Sequence, residues 1–503
     1  MKKVLVVVNA VGVTPVVCQE FSRRTVWEET IRRVASSADY DALLVRLAGE
    51  GVLPPECGLP ELRVSGNGSH AVLTALSGDH PGYDWYVFVS LSSAFLDPSL
   101  IGHFVQVGER QLAHYVYGEH FPRGMAPEVL SAEALTILCG VSSGRDFPFS
   151  DEAIFDLMGL DINSWDIEMV VSEHDFRRMR LDLRVMTSEA AARMRSLLTL
   201  DPGLADDWSW ERLSLVLRSH PEILRTLPAY VEFDLLDTCQ LACRFCPRTL
   251  LLPAAERVVS LDEARRVIDE LARFAPGATL ALSPFSEPLL HPECGTIIRM
   301  VLDAGLRLVL ETNGLALDQG MAALLAAADP ERCIVIVSLD FSDPVRYENE
   351  KGSGLLGLAE ENLRRLFSLR QRNVWLQAIQ FEQDDAALDA FYEKWKEYAD
   401  AILPRKYNTW CHRLPGNPAV DLSPLVRTPC WHLARDLVIR PDGSVGMCKQ
   451  DPEGRVFSGN VFSEGLAAVW QRLDEQWQRH CGDEVSRGDD LCRVCDEWHT
   501  FNF

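Results

Sequence analysis

Val231-Glu232-Phe233-Asp234-Leu235-Leu236-Asp237-Thr238-Cys239-Gln240-Leu241-Ala242-Cys243-Arg244-Phe245-Cys246-Pro247 is the stretch on which the reading of this chain turns. Its first six residues read as a strand. Three cysteines follow as Cys-x3-Cys-x2-Cys on the loop that leads toward a helix. Three thiolates in eight residues can wrap one face of a small cluster. A 4Fe–4S cube has four irons, so three cysteines leave one iron open to a substrate or cofactor. Zinc is the alternative, although tetrahedral zinc sites usually take four protein ligands in pairs. Three unrelated core cysteines would be the plainest reading, and the tight spacing on a loop argues against it.

Downstream of this loop, strand and helix patterns alternate. Ser260-Leu261-Asp262-Glu263 is a capping box that starts a helix. Strands are expected at Thr279–Leu282, Leu306–Leu310, Ile334–Leu339, Val374–Ile379 and Ala401–Lys406, with helices between them. Such alternation implies a parallel sheet with right-handed crossovers. Curved into a partial barrel, it places functional residues at the C-terminal ends of its strands.

Upstream, residues 1–198 also read as α/β. Lys3–Val8, Ala42–Val45 and Trp85–Val89 are strand candidates. Residues 199–230 read as a helical connector. The tail, 416–503, is short in core residues, rich in turns and carries five cysteines, so it calls for a staple. Met1-Lys2-Lys3 followed by a Val-rich run superficially resembles a signal peptide. Val4, Val6, Val7 and Val8 favour a buried strand instead, which predicts a cytoplasmic protein with free thiols. No apolar run reaches membrane-span length. The net charge of −24 argues against a nucleic-acid partner.

Eight of the fourteen cysteines fall in groups with ligand-like spacing. Cys18, Cys57, Cys139, Cys294, Cys333 and Cys411 stand singly and read as small buried hydrophobes. In the tail, Pro441-Asp442-Gly443 marks a hairpin turn that can bring Cys430 and Cys448 together. Cys492 and Cys495 add a Cys-x2-Cys pair, and Cys481 is a spare. Four thiolates there can hold a second cluster or a zinc ion.

The three-cysteine loop resembles that of the radical S-adenosylmethionine (SAM) superfamily. The resemblance implies that Cys239, Cys243 and Cys246 hold a 4Fe–4S cluster. Its open iron would chelate SAM and release a 5′-deoxyadenosyl radical that takes hydrogen from a substrate. Phe245 matches the aromatic position near the adenine. Ser283-Pro284-Phe285-Ser286-Glu287-Pro288 looks like the family's motif before Glu-Pro, with Pro284 and Ser286 where glycines are common. Thr312-Asn313-Gly314, Ser338-Leu339-Asp340 and Tyr347-x3-Lys351-Gly352 resemble later strand-end elements. On this basis Phe245, Ser283, Glu287, Asn313, Ser338 and Lys351 are expected to contact SAM. Lys351 stands where relatives often carry Arg, and it would meet the carboxylate as a point charge.

Gly443-x4-Cys448 and the closing Cys-x2-Cys-Asp-Glu-Trp-His resemble the SPASM/Twitch extension, which implies one auxiliary 4Fe–4S cluster on Cys430, Cys448, Cys492 and Cys495. His120-Phe121-Pro122-Arg123-Gly124 and its surroundings resemble sugar-activating cytidylyltransferases. Ser90 and Met186 replace the Asp residues of that family, which implies a degenerate domain. The best overall resemblance is to the spirochaete spiro-SPASM family.

The expected architecture is therefore a Rossmann-like nucleotidyltransferase-like domain (1–198), a connector (199–230), a partial (β/α)6 barrel (231–415) and a SPASM/Twitch domain (416–503). The expected function is radical modification of a peptide or protein, with a flavodoxin- or ferredoxin-like electron donor. Dehydrogenation or rearrangement of a sugar or nucleotide-linked metabolite is the second enzymatic reading. A non-catalytic iron–sulfur scaffold is a third.

Overall fold

The computed structural model describes residues 2–20, 23–37, 40–48, 52–53, 58–145, 147–151, 153–174, 176, 179, 181–205, 209–252, 256–282, 285–370, 372–381, 385–415, 423–424, 427–481 and 490–500. The chain forms two compact units, Met1–Leu224 and Arg225–Phe503.

The first unit is built on a seven-stranded sheet. Its strands are β1 (Val4–Asn9), β2 (Asp41–Leu47), β3 (Glu61–Val64), β4 (Trp85–Ser90), β5 (Tyr115–Glu119), β6 (Glu128–Ser131) and β7 (Ile167–Val171). The order is β3-β2-β1-β4-β6-β5-β7, and β6 runs antiparallel to both neighbours. Every residue of β1 is buried, as its run of valines requires of a central parallel strand. The helix Val26–Ser36 starts at a capping box of Thr25 and Glu28. The segment read as a connector packs into this unit. Its helix Trp210–Ser219 presents Leu213, Val216 and Leu217 on one face, and all three join the core that contains Val6 and Val8.

The second unit carries β8 (Tyr230–Phe233), β9 (Thr279–Leu282), β10 (Arg307–Thr312), β11 (Cys333–Ser338), β12 (Val374–Gln380) and β13 (Ala401–Lys406). These six strands are parallel and lie in sequence order, as a partial barrel that is not closed. The helix Leu261–Phe274 begins at the Ser260–Glu263 capping box read from the sequence. The tail continues this sheet. β14 (Asp436–Ile439) pairs parallel with β8, and β15 (Ser444–Val445) and β16 (Gly459–Asn460) follow antiparallel. Val445, Val461, Leu466, Val469, Trp470 and Leu473 belong to the same core as the barrel strands. The C-terminal segment thus covers the β8 edge, which would otherwise be exposed. No helix among the described residues is long and apolar enough to cross a membrane.

Candidate active site

The loop after β8 hangs from several neighbours at the C-terminal ends of the strands. Ala242 N donates to Lys351 O at 3.2 Å, and Arg244 N donates to Glu350 O at 2.9 Å. Lys351 ends the helix Pro344–Lys351, and Gly352 follows with a φ of 70°. A Cβ on Gly352 would stand 3.3 Å from the Ala242 Cβ. The Lys-Gly pair therefore serves the cysteine loop twice, through a left-handed helix stop and a close backbone approach.

Glu287 is 1% exposed, and its carboxylate accepts from Thr312 Oγ1 at 2.7 Å, Asn313 N at 2.8 Å and Leu289 N at 3.1 Å. Its own N–H donates to Thr238 O at 3.0 Å. Through its carboxylate and its N–H, Glu287 thus joins three loops, and burial raises the carboxyl pKa against the hydrogen bonds it accepts. Asn313 reaches the cluster loop directly. Its Nδ2 donates to Cys239 Sγ at 3.6 Å, and its Oδ1 accepts from Gln240 Nε2 at 3.1 Å. Gly314 continues the turn with a φ of 80°.

Asp234 is a site residue that no motif marked. It accepts from Phe285 N at 3.1 Å and from Ser286 Oγ at 2.9 Å. Ser286, where glycine is common, thus finds a partner for its hydroxyl. Burial lifts the Asp234 carboxyl to about 7 in spite of these hydrogen bonds. Ser283 and Pro284 lie outside the described residues.

Lys351 and Asp340 form an ion pair at 2.6 Å in which both side chains are 2% exposed. Lys351 also donates to Ser338 O. Burial opposes the ammonium charge, and the neighbouring Asp340 and Cys243 more than offset it, so the Lys351 pKa is raised. Asp340 adopts a φ of 66°. Its Oδ1 is buried and has no hydrogen-bond partner. Ser338 Oγ bonds Glu311 at 3.3 Å and accepts from Gln377 Nε2 at 3.1 Å. Lys351, expected to meet a cofactor carboxylate, is thus already paired within the protein.

These residues surround one cavity of about 420 Å³. Cys239, Cys243, Phe245, Cys246, Glu287, Asn313, Ser338 and Lys351 all line it. The Phe245 ring packs edge-on to Phe341 and Phe381, with centroids 6.3 and 6.2 Å away. Other parts of the wall come from Arg405 and Lys406 at the end of β13, from Tyr407, Asn408 and Trp410 after it, and from Lys449, Glu497 and Thr500 in the tail. Lys406 pairs with Asp496 and Glu497 at 2.8 and 2.9 Å, so the closing Cys-Asp-Glu run is tied to the end of β13.

The donor chemistry fits a cluster and SAM. Three thiols share the cavity wall, and burial pushes Cys243 up to about 12. Such thiols are protonated in the metal-free chain, and binding a metal centre would release their protons. The orphaned Asp340 Oδ1 offers an acceptor to a cationic or hydroxyl-bearing ligand. In the tail, Cys430, Cys448, Cys492 and Cys495 lie within electrostatic reach of one another. Among the described residues, no three Cys, His, Asp or Glu side chains already stand at metal-ligating separation.

The first unit has its own cavity of about 220 Å³, which includes Asn9, Ser90, Arg123, Asp151 and Arg184 in its wall. Ser90 ends β4 and its hydroxyl meets that of Ser92 at 2.9 Å. Met186 offers only its carbonyl, to Thr14 Oγ1 at 2.8 Å.

The model of the Radical SAM superfamily matches residues 235–385, and that of an iron–sulfur cluster-binding domain, SPASM, matches 430–496. An uncharacterized protein of Treponema pallidum (strain Nichols) is 31% identical over 371 residues, 71% of this chain and 100% of its own length. An AdoMet-dependent heme synthase of Methanosarcina barkeri (strain Fusaro / DSM 804) is 35% identical over 127 residues, 25% of this chain and 35% of that protein. A cytidylyltransferase structure from Leptospira borgpetersenii serovar Hardjo-bovis (strain JB197) covers 44% of this chain and 95% of its own, at 17% identity and a TM-score of 0.38. With its three-cysteine loop, the cavity beside it and the cysteine-rich tail all in place, the chain belongs to the radical SAM superfamily and is an enzyme of that superfamily with a SPASM domain, which implies a 4Fe–4S cluster, SAM and auxiliary iron–sulfur binding.

Proposed function

We propose that this enzyme modifies a peptide or protein segment by hydrogen abstraction in the 420 Å³ cavity. The bound cluster and SAM supply the 5′-deoxyadenosyl radical. Cys239, Cys243 and Cys246 hold the cluster, with Asn313 buttressing Cys239. Phe245, Glu287, Ser338 and Lys351 form the cofactor side of the cavity. Ser283 is proposed as a further contact by its place in the motif. Cys430, Cys448, Cys492 and Cys495 hold an auxiliary 4Fe–4S cluster, and a flavodoxin- or ferredoxin-like protein supplies electrons.

The observation that carries the peptide reading is the position of β13. It is the edge strand of its sheet and runs straight into the cavity wall at Pro404–Asn408. An exposed edge offers backbone donors and acceptors to an extended peptide.

A second reading, a small carboxylate-bearing metabolite, is favoured by Arg405 in the same wall, where Lys406 and Lys449 are already paired with Asp496, Glu497 and Glu232. Anaerobic, dithionite-reduced enzyme should convert SAM to 5′-deoxyadenosine. Deuterated peptide libraries should pass label into that product. SAM cleavage without label from any peptide, but with label from a carboxylate metabolite, would reject the peptide reading. No cleavage at all in protein holding both clusters would favour a scaffold.

A further inference from the structure

Strands β10 and β11 each border two cavities. Their C-terminal ends, at Glu311 and Ser338, line the 420 Å³ cavity beside the cysteine loop. Their starts, at Arg307–Val309 and Ile334, line a second cavity of about 290 Å³ at the base of the barrel. The apolar cluster of Tyr230, Ala281, Val309 and Ile336 closes this base cavity toward the first, with Ile336 standing between Ile334 and Ser338 along β11.

Three guanidiniums from three elements meet in the base wall. Arg307 opens β10, Arg332 immediately precedes β11, and Arg435 ends the helix Trp431–Arg435. Arg307 is exposed and makes no ion pair or side-chain hydrogen bond among the described residues. Arg332 Nη2 donates to Leu306 O at 3.0 Å and to Leu302 O, which holds that guanidinium in place. Arg435 stacks over the Trp431 ring at 4.8 Å. Its Nε lies 3.5 Å from Asp436 Oδ1 and, although buried, has no hydrogen-bond partner. Among the described residues the wall holds one carboxylate, Glu331, which already pairs with Arg372 at 2.5 Å. An excess of positive charge thus collects at one place in a chain whose net charge is −24.

Strand starts in such a barrel ordinarily serve stability, a role that apolar side chains fill. Converging like charges repel instead, and more strongly where water is partly excluded. A bound oxyanion would offset that repulsion, and guanidiniums match phosphate and carboxylate oxygens two at a time. Tyr230, Val309 and Ile334 add an apolar surface beside them. The volume lies close to the lower bound of about 300 Å³ for small-molecule sites. We propose that the base of the barrel binds a small organic oxyanion, a phosphate or carboxylate on an apolar body, held by Arg307, Arg332 and Arg435.

Isothermal titration of the anaerobically reconstituted full chain tests this with phenyl phosphate, benzoate and inorganic phosphate, and with benzyl alcohol as the neutral control. Phenyl phosphate or benzoate should bind in one equivalent per chain, the tighter of the two naming the headgroup. Benzyl alcohol should not compete. R307E and R435Q should each weaken the binding by about tenfold or more. R265E, at an exposed arginine of the helix Leu261–Phe274, should leave it unchanged. No binding of either organic probe to wild type would overturn the proposal. So would binding that survives both R307E and R435Q, which places the probe elsewhere, or an equal loss in R265E, which makes it diffuse surface charge. The core-cluster EPR signal and its change on adding SAM should persist in every variant, which separates a lost site from a lost fold.

Discussion

Asp234 shows how much a single buried carboxyl can set. Its pKa is about 7 in the fold against an unfolded value near 4, so the folded chain holds the proton more tightly. Folding stability is therefore highest, as far as this group decides it, below about pH 4, and it falls as pH rises through about 7. Asp234→Asn keeps an oxygen acceptor for Phe285 N and Ser286 Oγ. Between pH 5 and 7.5 the wild-type melting temperature of the metal-free chain should decline more than that of the variant. Equal slopes in the two thermal-unfolding series would contradict this account.

Lys351 and Asp340 make a second case at the same scale. Lys351→Met leaves a buried carboxylate unpaired and should cost about 3–5 kcal/mol. K351M/D340N should recover much of that loss in denaturant titrations, because both charges are then gone. Without such recovery, the lysine would be acting through something other than this pair.

Between elements, the contact that matters is the one from the helix Pro344–Lys351 to the cysteine loop. Gly352→Ala imposes a side chain on a φ of 70° and sets its Cβ 3.3 Å from that of Ala242. The variant should lose about 1–2 kcal/mol and loosen the core-cluster loop. Chelator challenge should strip its core cluster faster than in wild type, while the auxiliary signal decays at an unchanged rate. If both decay alike, the glycine acts on the fold as a whole.

At the scale of the molecule, the tail and barrel share one core and one sheet, because β14 pairs with β8. A chain ending at Pro415 would expose the β8 edge and the apolar surface that Val461, Leu466 and Trp470 cover. That truncation should aggregate, whereas residues 225–503 should fold alone and bind as much iron as the full chain. Size-exclusion profiles and iron content of the two fragments check this.

The sequence by itself determined the parts that local chemistry dictates. Cysteine spacing marked the cluster loop, valine runs and a Ser-Glu capping box marked the elements, and the parallel pairing of β8 to β13 followed from their alternation. That Phe245, Glu287, Asn313, Ser338 and Lys351 belong to one cavity was legible from their motifs on the cluster loop, after β9, at two strand ends and at the Lys-Gly helix stop. Their partners were not. That Ser286 serves Asp234, that Glu287 ties three loops and that Lys351 is neutralised by Asp340 depends on groups brought together across strands. Periodicity and spacing report what a residue does along the chain. Only tertiary structure decides which distant groups meet, and with them the charge, burial and ligand set of the site.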